Sequence, residues 1–69
     1  MKYAVVYEQT ANNWAAYVPD LPGCVATGAT HEEVERLIRD GIQLHLEAMR
    51  ESGEEIPAVT TTVGSVDAD

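Results

Sequence analysis

The chain has 69 residues, and its 12 acidic and 4 basic side chains give a formal net charge of −8. A chain of this length buries only about 60% of the surface that its unfolded form exposes, so we expect a thin core and help from a partner subunit. The negative charge repels phosphate backbones and excludes direct binding of nucleic acid by this chain. It suits a basic protein partner, although acidity also simply keeps a small domain in solution.

The sequence lacks the signals of a membrane protein, a secreted protein or a protein stabilised by a structural metal ion. It has no run of about 20 apolar residues and no secretory signal, so we expect a cytoplasmic protein without membrane contact. Cys24 is its only cysteine, which excludes an internal disulfide, and no other thiol or histidine stands at the spacing of a zinc ligand. We therefore expect neither a metal nor a cofactor.

Two β-strands joined by a turn are predicted at the N-terminus. Residues 2–9 and 14–18 are rich in β-branched and aromatic side chains, and the polar residues between them favour a turn. Both strands have apolar side chains on both faces, so neither face of this hairpin is suited to water. We expect another chain to cover the second face, and without a different partner we expect a homo-oligomer, either a dimer or a tetramer.

The segment PDLPGC, residues 19–24, is predicted to be a structural corner. Pro19 ends the second strand, and Pro22 and Gly23 form the central pair of a turn in which Gly23 has a positive φ if the turn is of type II. Cys24 is interpreted as a small buried residue at the head of a third strand. A reactive thiol is disfavoured because both histidines of the chain belong to the helix that follows.

An amphipathic helix is predicted after the third strand. Thr30 opens it in a capping box with Glu33, and apolar residues then recur at helical spacing. The helix ends near Ser52, where Gly53 supplies the left-handed residue that follows many helices. The β-branched run at residues 58–63 predicts a fourth strand.

The order of these elements predicts an α+β fold, β-β-β-α-β, with the helix packed on one face of the sheet. A right-handed crossover through the helix places the fourth strand parallel to the first and beside it, which gives the sheet order 3-2-1-4. We expect one domain over residues 1–63 and a flexible tail over residues 64–69.

Nothing in the sequence indicates an enzyme. The common phosphate-binding, dinucleotide-binding, zinc-protease and hydrolase signatures are all absent. His31 is interpreted as a solvated residue of the first helical turn, and His45 as a residue that packs beside the apolar stripe. An enzyme that uses Cys24 or His45 is the most remote of the functions considered.

Three segments together carry a resemblance to a known family: MKYAVVYEQ, AAYVPDLPGCVATGAT and HEEVERLIRDGIQLHLEAMRESGEEIP. With them the chain resembles the HicB antitoxin family over nearly its whole length, and their combination is more specific than any one of them. The resemblance implies a partial RNase H-like fold and a partner, HicA, which is a small basic mRNA-cleaving toxin. Family members typically add a C-terminal DNA-binding segment, and only GSVDAD follows the fourth strand here, so a short form is expected.

The resemblance implies a non-catalytic antitoxin-type protein that binds and occludes a HicA-like toxin. RNase H chemistry does not carry over, because two-metal catalysis needs several convergent carboxylates and only Glu8 and Asp20 lie near the sheet. Those two are our candidates for acidic contacts with the toxin, and Trp14, Tyr17 and Leu21 are the candidates for apolar contacts. The alternative is a homo-oligomeric HicB-like module with an unknown ligand and no toxin partner.

Overall fold

The computed structural model describes all residues, Met1–Asp69. Three strands, β1 (Val6–Gln9), β2 (Trp14–Tyr17) and β3 (Val25–Gly28), precede one helix, α1 (His31–Glu51). The strands form an antiparallel sheet of order β1-β2-β3. The predicted α+β class is therefore confirmed.

The turn between β1 and β2 closes through Thr10 and Asn13. The Thr10 amide donates to the Asn13 carbonyl at 2.8 Å, and the Asn13 amide donates to the Thr10 hydroxyl at 3.0 Å. Short polar side chains satisfy turn amides in this way. The turn fixes a register in which Tyr7 lies opposite Ala16.

The helix begins and ends where its capping residues predict. The Thr30 hydroxyl accepts a hydrogen bond from the Glu33 amide at 3.1 Å. At the other end, the Ser52 amide donates to the Ala48 carbonyl, and Gly53 follows with a φ of +73°. The helix is not apolar enough to cross a bilayer.

The core lies between α1 and one face of the sheet, which we call the inner face. Directly paired residues share a face, so Tyr7, Ala16 and their neighbour Ala26 lie together on the inner face. The helix packs mainly on β3 and less on β2, which leaves β1 at the margin of the core. The buried residues are Ala16, Val18, Leu21, Cys24, Val34, Ile38 and Leu46.

Residues 58–63 do not form the predicted fourth strand, and the sheet order 3-2-1-4 is not found. The Thr60 and Thr61 amides both donate to the same carboxylate oxygen of Asp20, at 3.0 and 3.1 Å. Successive amides of a strand point to opposite sides, so two neighbours that donate to one atom cannot belong to one ladder. The free edge of β1 therefore has no neighbour, and the RNase H-like assignment stays a prediction.

Candidate partner-binding surface

The sheet face that α1 does not cover is the candidate surface, and we call it the outer face. The strand register aligns Val6, Tyr17 and Val25 in one row across all three strands. Tyr17 is 41% exposed and Val25 is 69% exposed. The outer face consists of Val6, Glu8, Ala15, Tyr17, Val25 and Thr27. At one end of the sheet this face therefore carries an apolar row that reaches solvent.

The charge of the outer face is negative. Glu8 lies opposite Ala15, one row from Tyr17, and is exposed. None of the three strands contains a lysine or an arginine. An apolar row beside a carboxylate can exclude water from a contact and also pair with a cation, which suits a basic protein partner.

The structure separates the residues that the sequence suggested as partner contacts. Glu8 and Tyr17 lie on the outer face, whereas Trp14 lies on the inner face with its ring 4.9 Å from that of His31. Leu21 has no exposed surface and belongs to the core. Only Glu8 and Tyr17 therefore share one accessible surface.

Sequence reasoning missed Val25 and Val6 as residues of this surface. Side chains of a strand alternate between faces, so Trp14 and Tyr17, three positions apart, must lie on opposite sides. Because β2 is apolar on both faces, its residues do not indicate which side of the sheet the helix covers. Once Tyr17 is placed outside, the antiparallel pairing assigns Val6 and Val25 to the same side.

Asp20, the remaining suggested contact, binds the chain's own C-terminal segment. Its carboxylate accepts hydrogen bonds from the amide and the hydroxyl of both Thr60 and Thr61, at 2.7–3.1 Å. These bonds, that from the Thr61 hydroxyl foremost, lower the pKa of Asp20 to about 2. We call this arrangement the clasp. It occupies both oxygens, so Asp20 differs from the free carboxylate of Glu8.

Replacing Asp20 by alanine is expected to release Thr60 and Thr61. Hydrogen exchange of these two amides, followed by NMR, should become faster in Asp20→Ala, because their acceptor is lost. The matched control is Asp67→Ala, which removes a carboxylate from the exposed tail. Unchanged exchange at both threonines in Asp20→Ala would show that the clasp does not hold the segment in solution.

The same hydrogen-exchange measurement, repeated at several pH values, tests the pH dependence of the clasp. The pKa of Asp20 is lowered from 3.8 to about 2 in the folded chain. A lowered carboxylate pKa means that the stabilisation is complete above the ordinary value and is lost as the pH falls through the folded value. Protection of the two amides should therefore persist at pH 4 and above, and disappear as the pH approaches 2.

The corner at residues 19–24 is built as a tight turn. The Cys24 amide donates to the Leu21 carbonyl at 3.0 Å across Pro22 and Gly23, and Gly23 has a φ of +86°. Positive φ at the third residue is the requirement of a type II turn. Cys24 is buried, and burial raises the pKa of its thiol, so the thiolate that a nucleophile needs is disfavoured.

The two histidines lie in different parts of the structure. The His31 ring lies 4.5 Å from that of Tyr7 and near the Glu35 carboxylate, at 4.0 Å. Burial, followed by the charge of Glu35, raises the pKa of Tyr7. His45 instead lines a shallow pocket beside Pro22. No group of three or more histidine, cysteine or acidic side chains could hold a metal ion.

Comparison with protein families assigns the chain. The model described as "HicB_like antitoxin of bacterial toxin-antitoxin system" matches residues 3–69. The chain belongs to the HicB-like antitoxin family. The resemblance found in the sequence is thereby confirmed for this HicB-like chain.

Curated relatives of this HicB-like chain include a named antitoxin. Antitoxin HicB 2 of Photorhabdus laumondii is 31% identical over 61 residues, which are 88% of this chain and 44% of that protein. An uncharacterized protein of Haemophilus phage HP1 is 35% identical over 83% of this chain and 43% of its own length. A UPF0150 protein of Helicobacter pylori is 44% identical over 59% of this chain and 57% of its own.

The HicB-like chain spans about half the length of the curated relatives that it matches, with 43%, 57% and 44% of their lengths covered. No solved structure matches it.

Proposed function

We propose that this HicB-like chain is an antitoxin that binds and occludes a small, basic, HicA-like toxin, and that the outer face is its contact surface. Family membership supports a role in a toxin-antitoxin system. The observation that supports the surface is the row of Val6, Tyr17 and Val25, which lies uncovered beside the carboxylate of Glu8. Because the toxin of this proposal cleaves mRNA, we expect the toxin and its antitoxin to act in the cytoplasm.

The two parts of the outer face have different tasks in this proposal. Tyr17 lies in the centre of the row, and aromatic residues at the centre of an interface contribute most of the binding energy. Glu8 competes with RNA phosphates for cationic groups of the toxin. The net charge of −8 attracts the basic partner over a longer range and raises the association rate. Binding alone is sufficient for this role, and no catalytic step by the chain is required.

Co-expression with a HicA-like protein encoded beside this chain tests the proposal. We expect the chain to restore the growth of cells that express the toxin, and to form a complex with the toxin that can be isolated at low salt. Association should become slower as salt rises, because exposed charges are screened over about 8 Å at physiological ionic strength. Failure to restore growth, together with no complex at low salt, would contradict the proposal.

A homo-oligomeric module without a toxin is the second candidate function. The exposed surfaces of Tyr17 and Val25 support it, since a second copy could cover the same apolar row. Sedimentation of the chain alone at micromolar concentration tests this alternative. A monomer at that concentration would contradict it and would leave the outer face free for a different protein.

A further inference from the structure

We propose that the C-terminal tail of a second copy, residues 62–69, binds the groove between the N-terminal segment and α1. This groove is a different surface from the outer face, so the inference does not depend on toxin binding, and it gives the homo-oligomer a specific interface. The groove measures about 680 Å³. Its apolar lining comprises Met1, Tyr3, Val5, Tyr7, Ile38 and Ile42.

The groove exists because α1 covers β3 and β2 better than β1. Tyr3, Val5 and Tyr7 line it, since alternate residues of an extended segment share one side. The free edge of β1 runs beside the groove, because residues 58–63 are not paired with it. An apolar groove next to a free strand edge is the arrangement in which an extended peptide adds to a sheet.

The tail has the exposed apolar surface that such a groove can accept. Val63 and Val66 are 70% and 92% exposed, and no residue of the C-terminal segment lines the groove of its own chain. The radius of gyration is 13.4 Å, whereas a compact chain of this length measures about 11 Å. The clasp fixes Thr60 and Thr61 at Asp20, and the tail extends from that point.

The charges of the groove and of the tail are complementary. Lys2 and Arg39, two of the chain's four basic residues, line the groove. Glu35 also lines it, with its carboxylate 3.7 Å from the Arg39 guanidinium. The tail contains Asp67 and Asp69 and no basic residue. Lys2 and Arg39 therefore offer local partners to the carboxylates of an acidic tail, but none to the cationic groups of a basic toxin.

Two copies can bind each other reciprocally, with each tail in the groove of the other copy. Each copy offers one groove and one tail, so a two-fold axis gives two identical contacts and closes the assembly. The exchange buries the exposed valines of both tails and adds neighbours to both β1 edges. It thereby supplies the burial that a chain of this length lacks alone.

Disulfide cross-linking between single-cysteine chains tests this interface without any toxin. Gln43 lines the groove, and Ser65 lies in the tail, so Gln43→Cys and Ser65→Cys are prepared separately in a Cys24→Ala background. After mixing and oxidation we expect a covalent heterodimer. Its yield should be several-fold higher than that of the matched control, Glu47→Cys mixed with Ser65→Cys, because Glu47 lies one turn along α1 and outside the groove.

Each alternative has its own outcome. Equal yields from the groove pair and the control pair would overturn the inference and leave the groove open to a foreign protein. An internal cross-link in monomers of the double variant Gln43→Cys with Ser65→Cys would show that the chain's own tail fills the groove. If Cys24→Ala does not fold, the wild-type residue is retained, since its thiol is buried.

Charge reversal separates this interface from toxin binding. Asp67→Lys combined with Asp69→Lys should lower the heterodimer yield several-fold, whereas Asp40→Lys, on the exposed side of α1, should leave it unchanged. An undiminished yield in the tail variant would contradict the role of the charges. Because no toxin is present, failed rescue by co-expression and a failed cross-link are independent results.

Discussion

Replacement of Leu21 by alanine is expected to remove a large part of the free energy of unfolding of the chain at 25 °C. Leu21 has no exposed surface and lies in the core, and a buried Leu→Ala change typically lowers the free energy of unfolding by about 2–5 kcal/mol. A domain of this size has only about 3–10 kcal/mol in total. Urea denaturation followed by circular dichroism measures the loss.

The control for this experiment is Val25→Ala on the outer face. Val25 is 69% exposed, so its truncation should change the free energy of unfolding by no more than about 0.5 kcal/mol. A Leu21→Ala chain with wild-type stability but weaker toxin binding would contradict the core assignment. It would restore the interpretation of Leu21 as a partner contact.

Replacement of Tyr17 by alanine is expected to abolish rescue by co-expression while the fold is retained. Truncation of a central aromatic contact costs about 2 kcal/mol or more, which weakens binding at least about 30-fold. Tyr17 is on the surface of the sheet, at 41% exposure, so its truncation should lower the free energy of unfolding less than that of the fully buried Leu21 does. Calorimetric titration with the toxin gives the dissociation constant.

Leu44→Ala is the matched control for Tyr17→Ala. Leu44 is an apolar residue of α1 with 66% exposure, and it lies outside both the outer face and the groove. Its truncation should leave the dissociation constant unchanged. Equal affinity of wild-type and Tyr17→Ala chains would remove the outer face from the proposal and direct the search to another surface.

The elements with local signals could be predicted from the sequence. The helix start depends on Thr30 and Glu33, which are three positions apart, and the corner depends on Pro22 and Gly23, which are adjacent. Each signal is complete within a few residues, so the rest of the fold cannot easily override it. This is why the corner and the helix are predicted with nearly their observed bounds, whereas the first strand, predicted over residues 2–9, extends only over Val6–Gln9.

The fourth strand is predicted from local sequence preference, but a contact with a residue distant in sequence prevents it from forming. Residues 58–63 have the β-branched composition of a strand, but strand formation depends on context more than helix formation does. Their competing partner, Asp20, lies 40 residues before Thr60. Nothing near residues 58–63 indicates that an acidic side chain from the corner takes their amides.

The candidate surface was only half predictable for a related reason. Alternation identifies which residues share a face, but it does not identify the face that the helix covers when both are apolar. Trp14 and Tyr17 were therefore equally acceptable as partner contacts until the helix was placed. Leu21 lies in the corner, where no alternation applies, and its burial follows only from the three-dimensional path of residues 19–24.

The clasp has a consequence for the order in which the chain folds. Its two sides lie 40 and 41 residues apart, and the whole of α1 lies between them. Closing so long a loop costs entropy that the helix and the sheet must offset first by docking. The clasp is therefore a late step in folding and an early one in unfolding. Opening it releases Thr60 and Thr61 from Asp20, so this segment becomes easier for proteases to cleave while the sheet and the helix remain intact.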